Sequence, residues 1–270
     1  MLHHLADAAA DVILSKFRAS TPIEDKGVGR FDPVTAADRG AEAAIRKILK
    51  TQRPDDGIIG EEYGAERTDA EYVWVIDPID GTRAFIQGLP TWGILIGLLY
   101  RGQPYAGMMC QPYIGERFWS NGERAYFRGL GTQTAALAGR ASTLANAQLA
   151  TTDPYLFTEP EEKTAFEALR QKVRGCRFGT DCYGYSMVAA GQVDIVLETG
   201  LQPYDIVALV PLVEHAGGRV TSWDGGEAHN GGRILACGDP ELHADVIEFL
   251  QQLPTLSGKS QPIDQSLRQY

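Results

Sequence analysis

Apolar residues recur at steps of three and four over residues 2–19. Leu5, Ala9, Val12, Ile13 and Phe17 fall on one face, which predicts an amphipathic helix. The next stretch, TPIEDKGVGRFD, has no such period. Two glycines and two prolines between residues 22 and 33 predict a loop. Thr35 followed by Asp38 has the form of a capping box, so a second helix is predicted to about Lys50, ended by RPDDG. From Ile58 the pattern shortens. IIGEEYG and YVWVIDP each place a short β-rich run before acidic residues. WGILIGLLYRGQPYAGMMCQP reads as a hairpin turning at Arg101-Gly102-Gln103, and GERFWSNGERAYFRG as strands separated by Asn121-Gly122. Residues 131–147 carry no clear pattern. Beyond them, helices are predicted over 161–173, Ser186 to Ala190, Ile206 to His215 and ELHADVIEFLQ. Strands are predicted over VDIVLE (193–198) and ILAC. Gly217-Gly218 closes the helix at 206–215, and Pro211 inside it predicts a kink. The tail from Pro254 is polar and predicted to fray.

Helices and strands alternate, with hairpins in the middle. This predicts an α/β (α+β) layered sandwich, read as a single domain over 1–270. Its halves, about 1–140 and 141–250, are expected to meet between residues 130 and 150. The 270 residues carry 25 Lys and Arg against 35 Asp and Glu, a formal charge of −10. That balance argues against nucleic acid as a partner, because such binding rests on cationic side chains neutralising phosphates. It leaves phosphate ligands open, since a bound metal inverts the local charge. Four cysteines without a C-x-x-C pair predict no disulfide framework and a reduced, cytoplasmic setting. The start lacks the form of a signal peptide, and no apolar run approaches the roughly 18 residues of a membrane span. A membrane is therefore not expected as a partner.

The densest chemistry lies in WVIDPIDGTRAF, residues 74–85. A buried strand, Val73–Ile76, is expected to end at Asp77, because Pro78 offers no N–H to a ladder. Asp80 and Thr82 follow within five residues, and Gly81 permits a tight turn. Two carboxylates, a hydroxyl and turn carbonyls thus reach one point, a donor set suited to a hard cation such as Mg²⁺. Glu61 and Glu62 likewise follow a short apolar run, and Asp205 opens the helix at 206–215. Each segment has a plainer reading on its own: a turn at 77–82, a solvated pair at 61–62, and helix caps at Asp205 and Asp38.

Together the segments resemble the inositol monophosphatase family of metal-dependent phosphomonoesterases. GEE at 60–62 resembles its first acidic motif and DPIDGT at 77–82 its signature. PYDIVALVPLVEHAGG at 203–218 resembles its C-terminal motif, with Tyr204 in place of Trp and Val207 in place of a small residue. The resemblance runs from about residue 5 to 250. It implies an αβαβα sugar-phosphatase-like fold and two or three Mg²⁺ per site. Glu61, Asp77 and the Ile79 carbonyl would hold one ion; Asp77, Asp80 and Asp205 would hold a second. Asp38 and Thr82 would orient and deprotonate the attacking water, with Glu61 part of the catalytic group. Gly81 and Thr82 would offer backbone N–H groups to the phosphate, and Lys26 would approach either the phosphate or a third metal-site water from the loop. Members of the family often form homodimers and are often inhibited by lithium.

Other phosphate chemistries fit less well. Gly258-Lys259-Ser260 lacks the first glycine of a P-loop, Asp32 replaces the third glycine of a G-x-G-x-x-G run, and no HExxH occurs. Gly184-Tyr185-Ser186-Met187-Val188 lacks the second glycine of a nucleophile elbow.

The stretch Gly179-Thr180-Asp181-Cys182-Tyr183-Gly184-Tyr185 occupies the family's substrate-side region, with Asp181 where inositol phosphatases carry a small residue. Local turn bonding is the plainer reading of Asp181. Glu198 lies at the spacing of another family substrate contact. GTRAFIQGLPTWGILIGL, GTDCYGY and GLQPYD are most similar to the histidinol-phosphate phosphatase branch. That similarity implies a small phosphorylated metabolite with a cationic end. Thr180, Asp181, Glu198 and Asp205 would contact it, and Tyr183 or Trp92 would flank its imidazole ring. Inositol phosphate, or a related sugar or nucleotide phosphate, is the alternative substrate. A non-catalytic binding protein on the same fold is the alternative of another class.

Overall fold

Two separate sheets arise from the alternating strand patterns. The computed structural model of the protein describes residues 1–19, 23–25 and 33–253, with 23–25 and 33–34 as backbone only. Lys26 and the tail from Pro254 lie outside the described residues. In chain order the first elements are α1 (Leu2–Leu14), β1 (Ile23–Asp25), β2 (Pro33–Thr35), α2 (Ala36–Gln52), β3 (Gly57–Gly60), β4 (Gly64–Glu66), β5 (Tyr72–Asp80) and α3 (Thr82–Ile86). Then come β6 (Gly93–Tyr100), β7 (Gln103–Gln111), β8 (Glu116–Ser120), β9 (Ala125–Arg128), β10 (Ala135–Ala136), β11 (Gln148–Thr151), α4 (Pro160–Arg170) and β12 (Gly175–Phe178). The rest are α5 (Asp181–Ala189), β13 (Ile195–Leu201), α6 (Pro203–Ile206), α7 (Leu209–Glu214), β14 (Arg219–Ser222), β15 (Gly232–Cys237) and α8 (Pro240–Gln251). The larger sheet has the order β10-β9-β8-β7-β6-β5-β3-β4, the smaller β12-β11-β13-β15-β14, and β1 pairs with β2 apart from both.

Alternation along the strands sorts side chains into layers. Ile94 and Ile96 of β6 face α1 and α2, packing with Leu5, Ile13, Ala41 and Ile45. Leu95 between them faces the opposite way, toward Tyr185 and Val188 of α5 and Leu209 and Leu212 of α7. The same middle helices meet Val196, Ile234 and Ala236 of the smaller sheet. On that sheet's far face, Leu149, Ile195 and Leu235 pack with Phe166 of α4 and with Leu242 and Val246 of α8. The result is helix, sheet, helix, sheet, helix: the αβαβα sandwich.

Three local outcomes refine the sequence reading. The first helix stops at Leu14 rather than residue 19, and Arg18, at φ 59°, donates from Nε and Nη2 to the Gly88 carbonyl at 3.0 and 2.8 Å. The strand expected to end at Asp77 continues to Asp80, through an irregularity between Asp77 and Asp80. Pro78 is tolerated there because the β3 ladder has already ended at Ile76, so no neighbour on that side needs its N–H. Helix 206–215 is broken at Val207-Ala208, into α6 and α7. Val207 is four residues before Pro211, whose ring crowds that carbonyl and supplies no N–H to it.

The break lies directly on the sheet. Gly97 and Gly107 are cross-strand partners. A Cβ on Gly107 would stand 2.0 Å from the Ala208 carbonyl oxygen, and one on Gly97 would stand 2.7 Å from Cγ1 of Val207. The pair of glycines lets the α6–α7 junction settle onto the larger sheet, Val207 included. Asp205 is thereby lowered toward the end of β5. The four cysteines are free, and among the described residues no helix is long and apolar enough to cross a membrane.

Candidate active site

The acidic motifs meet because β3 and β5 run parallel. Gly60 pairs with Ile76, so Glu61 and Asp77 leave the same sheet edge side by side. The N–H of Glu61 extends that ladder, donating to the Ile76 carbonyl at 3.2 Å. Asp77 accepts the Ile79 N–H on Oδ1 at 3.0 Å, which shapes the turn. Gly81, at φ 80°, then redirects the chain into α3. The Thr82 hydroxyl donates to the Ile79 carbonyl at 3.0 Å. From the C-terminal half, α6 begins at a capping box in which Asp205 accepts the Gln202 N–H on Oδ2 at 2.7 Å.

Asp77, Asp80 and Asp205 each bring an oxygen within 4.8 Å of the others. Burial raises all three carboxyl pKa values above the ordinary range. For Asp77, Glu61, Asp80 and Asp205 add to the rise, and Glu61 is within hydrogen-bonding reach. For Asp205 the main further cause is Asp80. One buried and two half-buried carboxylates that push one another's pKa upward form an all-oxygen set with excess negative charge. That donor chemistry fits a divalent hard cation.

Asp38 is 1% exposed and completes the expected capping box, accepting the Thr35 N–H and hydroxyl on Oδ2 at 2.9 and 2.6 Å.

A cavity of about 170 Å³ opens beside the acidic cluster. Asp80, Asp205, Asp181, Glu198, Tyr185 and Thr152 are among its lining residues. Asp181 sits at φ 45°, and the following N–H, that of Cys182, donates to Oδ2 of Asp80 at 2.7 Å. Burial, then Asp80 and Glu198, push the Asp181 carboxyl up to about 8 against the opposing effects of Thr91 and Arg83. Burial likewise pushes Glu198 up to about 7, despite the hydrogen bonds from Thr152. Thr152 holds one Glu198 oxygen with its N–H at 2.8 Å and its hydroxyl at 2.6 Å. The buried Tyr185 hydroxyl lies near Glu198 without a well-formed hydrogen bond.

Two expected substrate contacts are placed elsewhere. Trp92 is 0% exposed, packed between Phe17 and Phe85 on the α1 side of the larger sheet, so its face is not open to a ligand. Tyr183 donates its hydroxyl to Glu116 and sets its ring edgewise on Phe118. Both follow from which face of an element each side chain occupies, and neither flanks the cavity. The Thr180 hydroxyl is buried against Gly184, where a Cβ would lie 2.8 Å from it. Thr152 and the Cys182 N–H were not legible in the sequence. A lone threonine after a strand carries no periodic signal, and a backbone donor carries none at all.

The site belongs to a recognised class. The pattern of the inositol monophosphatase family matches residues 1–255. The chain belongs to that family, whose members are phosphatases, Mg²⁺-dependent in general. It is 42% identical over 259 residues to the bifunctional phosphatase IMPL2, chloroplastic, of Arabidopsis thaliana, covering 92% of this chain and 73% of the relative. It is 36% identical over 249 residues to a histidinol-phosphatase of Mycobacterium tuberculosis, covering 91% and 95%. The solved structure of an inositol monophosphatase from Zymomonas mobilis superposes with a TM-score of 0.81 at 42% identity, covering 93% of this chain and 96% of that one.

Proposed function

We propose that the protein hydrolyses L-histidinol phosphate to L-histidinol and inorganic phosphate, a step of histidine biosynthesis. The observation that carries this reading is the pair Asp181 and Glu198, which line the same cavity as Asp80 and Asp205. Carboxyls whose pKa values burial has raised gain most from a cationic ligand, and histidinol phosphate bears an ammonium and an imidazole. The likeness to a histidinol-phosphatase supports the same choice.

Glu61, Asp77, Asp80, Asp205 and the Ile79 carbonyl would hold Mg²⁺, which supplies Lewis acidity at the phosphoryl oxygens and acidifies water. Gly81 and Thr82 offer backbone N–H groups to the phosphate at the start of α3. Asp38 would take a proton from the water that attacks phosphorus, with the Thr82 hydroxyl orienting that water; as the new P–O bond forms, the ester P–O bond breaks and the departing alkoxide takes a proton from a solvent water. Glu198, held through one oxygen by Thr152, keeps the other for the substrate's ammonium. Asp181 lines the same cavity.

A second reading is an inositol-phosphate phosphatase. Burial pushes the Asp181 and Glu198 carboxyls upward, and a carboxyl that keeps its proton can hydrogen-bond a polyol. The two readings separate on Asp181→Ala. For histidinol phosphate, KM is expected to rise about tenfold, with a much smaller rise for an aryl phosphate. Equal losses on both esters, or no phosphate release from histidinol phosphate, would overturn the first reading.

A further inference from the structure

The turn that carries Glu61 is gripped from behind by α2. This helix turns one stripe, Ala37, Ala41, Ile45 and Leu49, into the core. Beside it runs a second stripe at the same four-residue spacing: Asp38, Glu42 and Arg46, which are 1%, 0% and 8% exposed. A carboxylate with no exposed surface is costly unless hydrogen bonds and a counter-charge occupy its oxygens.

For Glu42 those partners come from the 60–66 turn and from Arg46. Its Oε2 accepts the backbone N–H of Glu62 at 2.7 Å, and Oε1 accepts that of Tyr63 at 3.3 Å. Oε1 also accepts Nε of Arg46 at 2.7 Å. Arg46 directs its other N–H groups to the far side of the β3–β4 hairpin: Glu66 Oε1 at 2.8 Å and the Gly64 carbonyl. Gly60 completes the arrangement, because a Cβ there would stand 2.0 Å from Oε1 of Glu42. Space, not a left-handed backbone, demands glycine at this position.

Glu61 is therefore held on two sides. Its own N–H is tied to the carbonyl before Asp77, at 3.2 Å, and the next N–H in the chain is tied to Glu42 at 2.7 Å. We propose that Glu42 is a positioning residue of the metal centre: its buried carboxylate fixes the 60–63 turn, and so sets where the Glu61 carboxylate stands against Asp77. The proposal rests on the cation reading of the acidic cluster and not on the identity of the phosphate ester. Partners one layer behind metal ligands typically govern affinity by about 10–100-fold.

The test is Mg²⁺ affinity, measured by titration calorimetry on chelator-stripped protein. Glu42→Gln removes the charge, and Gly60→Ala independently drives a methyl group into the carboxylate. Leu49→Ala serves as a control that loosens α2 packing without touching the turn. Both Glu42→Gln and Gly60→Ala are expected to weaken Mg²⁺ binding about tenfold, with Leu49→Ala within twofold of wild type. Should Glu42→Gln fail to fold, Gly60→Ala decides. Lower melting temperatures with Mg²⁺ affinity within twofold of wild type in both variants would make Glu42 merely structural. A wild-type protein that takes up no Mg²⁺ would overturn the cation reading, and this assignment with it.

Discussion

The backbone N–H of Cys182 donates to Oδ2 of Asp80 at 2.7 Å, joining residues 102 apart in sequence. The bond ties a carboxylate of the acidic cluster, at the end of β5, to the first turn of α5 in the middle layer. It coincides with Asp181 at φ 45°, a conformation that costs a side-chain-bearing residue of order 1 kcal/mol. Across from it, a Cβ on Gly81 would stand 3.0 Å from Asp181 Cβ. The Asp181 carboxyl, which lines the cavity beside the cluster, is thus presented on strained backbone. Asp181→Gly is expected to melt above Asp181→Ala by about 2–4 °C, the shift that about 1 kcal/mol produces at this chain length. Thermal unfolding of the two variants checks this; equal melting temperatures would show that the backbone at 181 stores no strain.

The acidic cluster is expected to make the metal-free fold pH-sensitive. Asp77, Asp80 and Asp205 have folded-state pKa values raised by burial and mutual repulsion. Their favourable contribution is present while they are protonated, at and below the unfolded value near 4, and is lost as pH rises through the folded values. Chelated protein is therefore expected to lose stability as pH rises above the unfolded value near 4, and Mg²⁺ to restore it. Asp80→Asn should raise the melting temperature of chelated protein at pH 8 and greatly reduce its response to Mg²⁺. Melting curves with chelator and with Mg²⁺ test both statements.

His243 works in the opposite direction. It is buried, meets the Thr221 hydroxyl through Nε2 at 2.9 Å, and burial, with a smaller effect of Arg219, lowers its pKa to about 4. Between the unfolded value near 6.5 and about 4, the unfolded chain binds a proton that the folded chain refuses. Stability should fall through that window by up to about 3 kcal/mol. Urea unfolding at pH 7.5 and pH 4.5 should show a smaller pH dependence in His243→Gln than in wild type. Identical dependence in the two proteins would exclude His243 as its source.

Much of the architecture was legible because apolar periodicity reports which face of an element is buried. The Thr35–Asp38 cap, the Arg101-Gly102 hairpin turn and the Gly217-Gly218 stop all stand where local chemistry predicts. Pro78 misled because a sequence does not say when a strand has lost its neighbour. Trp92 and Tyr183 misled because an aromatic residue near a motif reads the same whether it faces the site or the core. Glu42 and Arg46 carry no sequence signal for a related reason. Glutamate four residues before arginine is the pattern of a solvated helix face, and only the packing of β3 and β4 buries it. The acidic residues at strand ends were readable because the parallel register of β3 and β5 converts two separate motifs into one edge.

The proposed function requires that an acidic, Mg²⁺-binding site beside Asp181 and Glu198 select a small phosphate ester with a cationic end. Mg²⁺-dependent phosphate release by the purified full chain, from histidinol phosphate and from myo-inositol 1-phosphate, decides it. A higher kcat/KM on histidinol phosphate, lost on chelation, is the expected result. A higher kcat/KM on myo-inositol 1-phosphate would contradict the assigned substrate, and release that persists under chelation would contradict the assigned metal site.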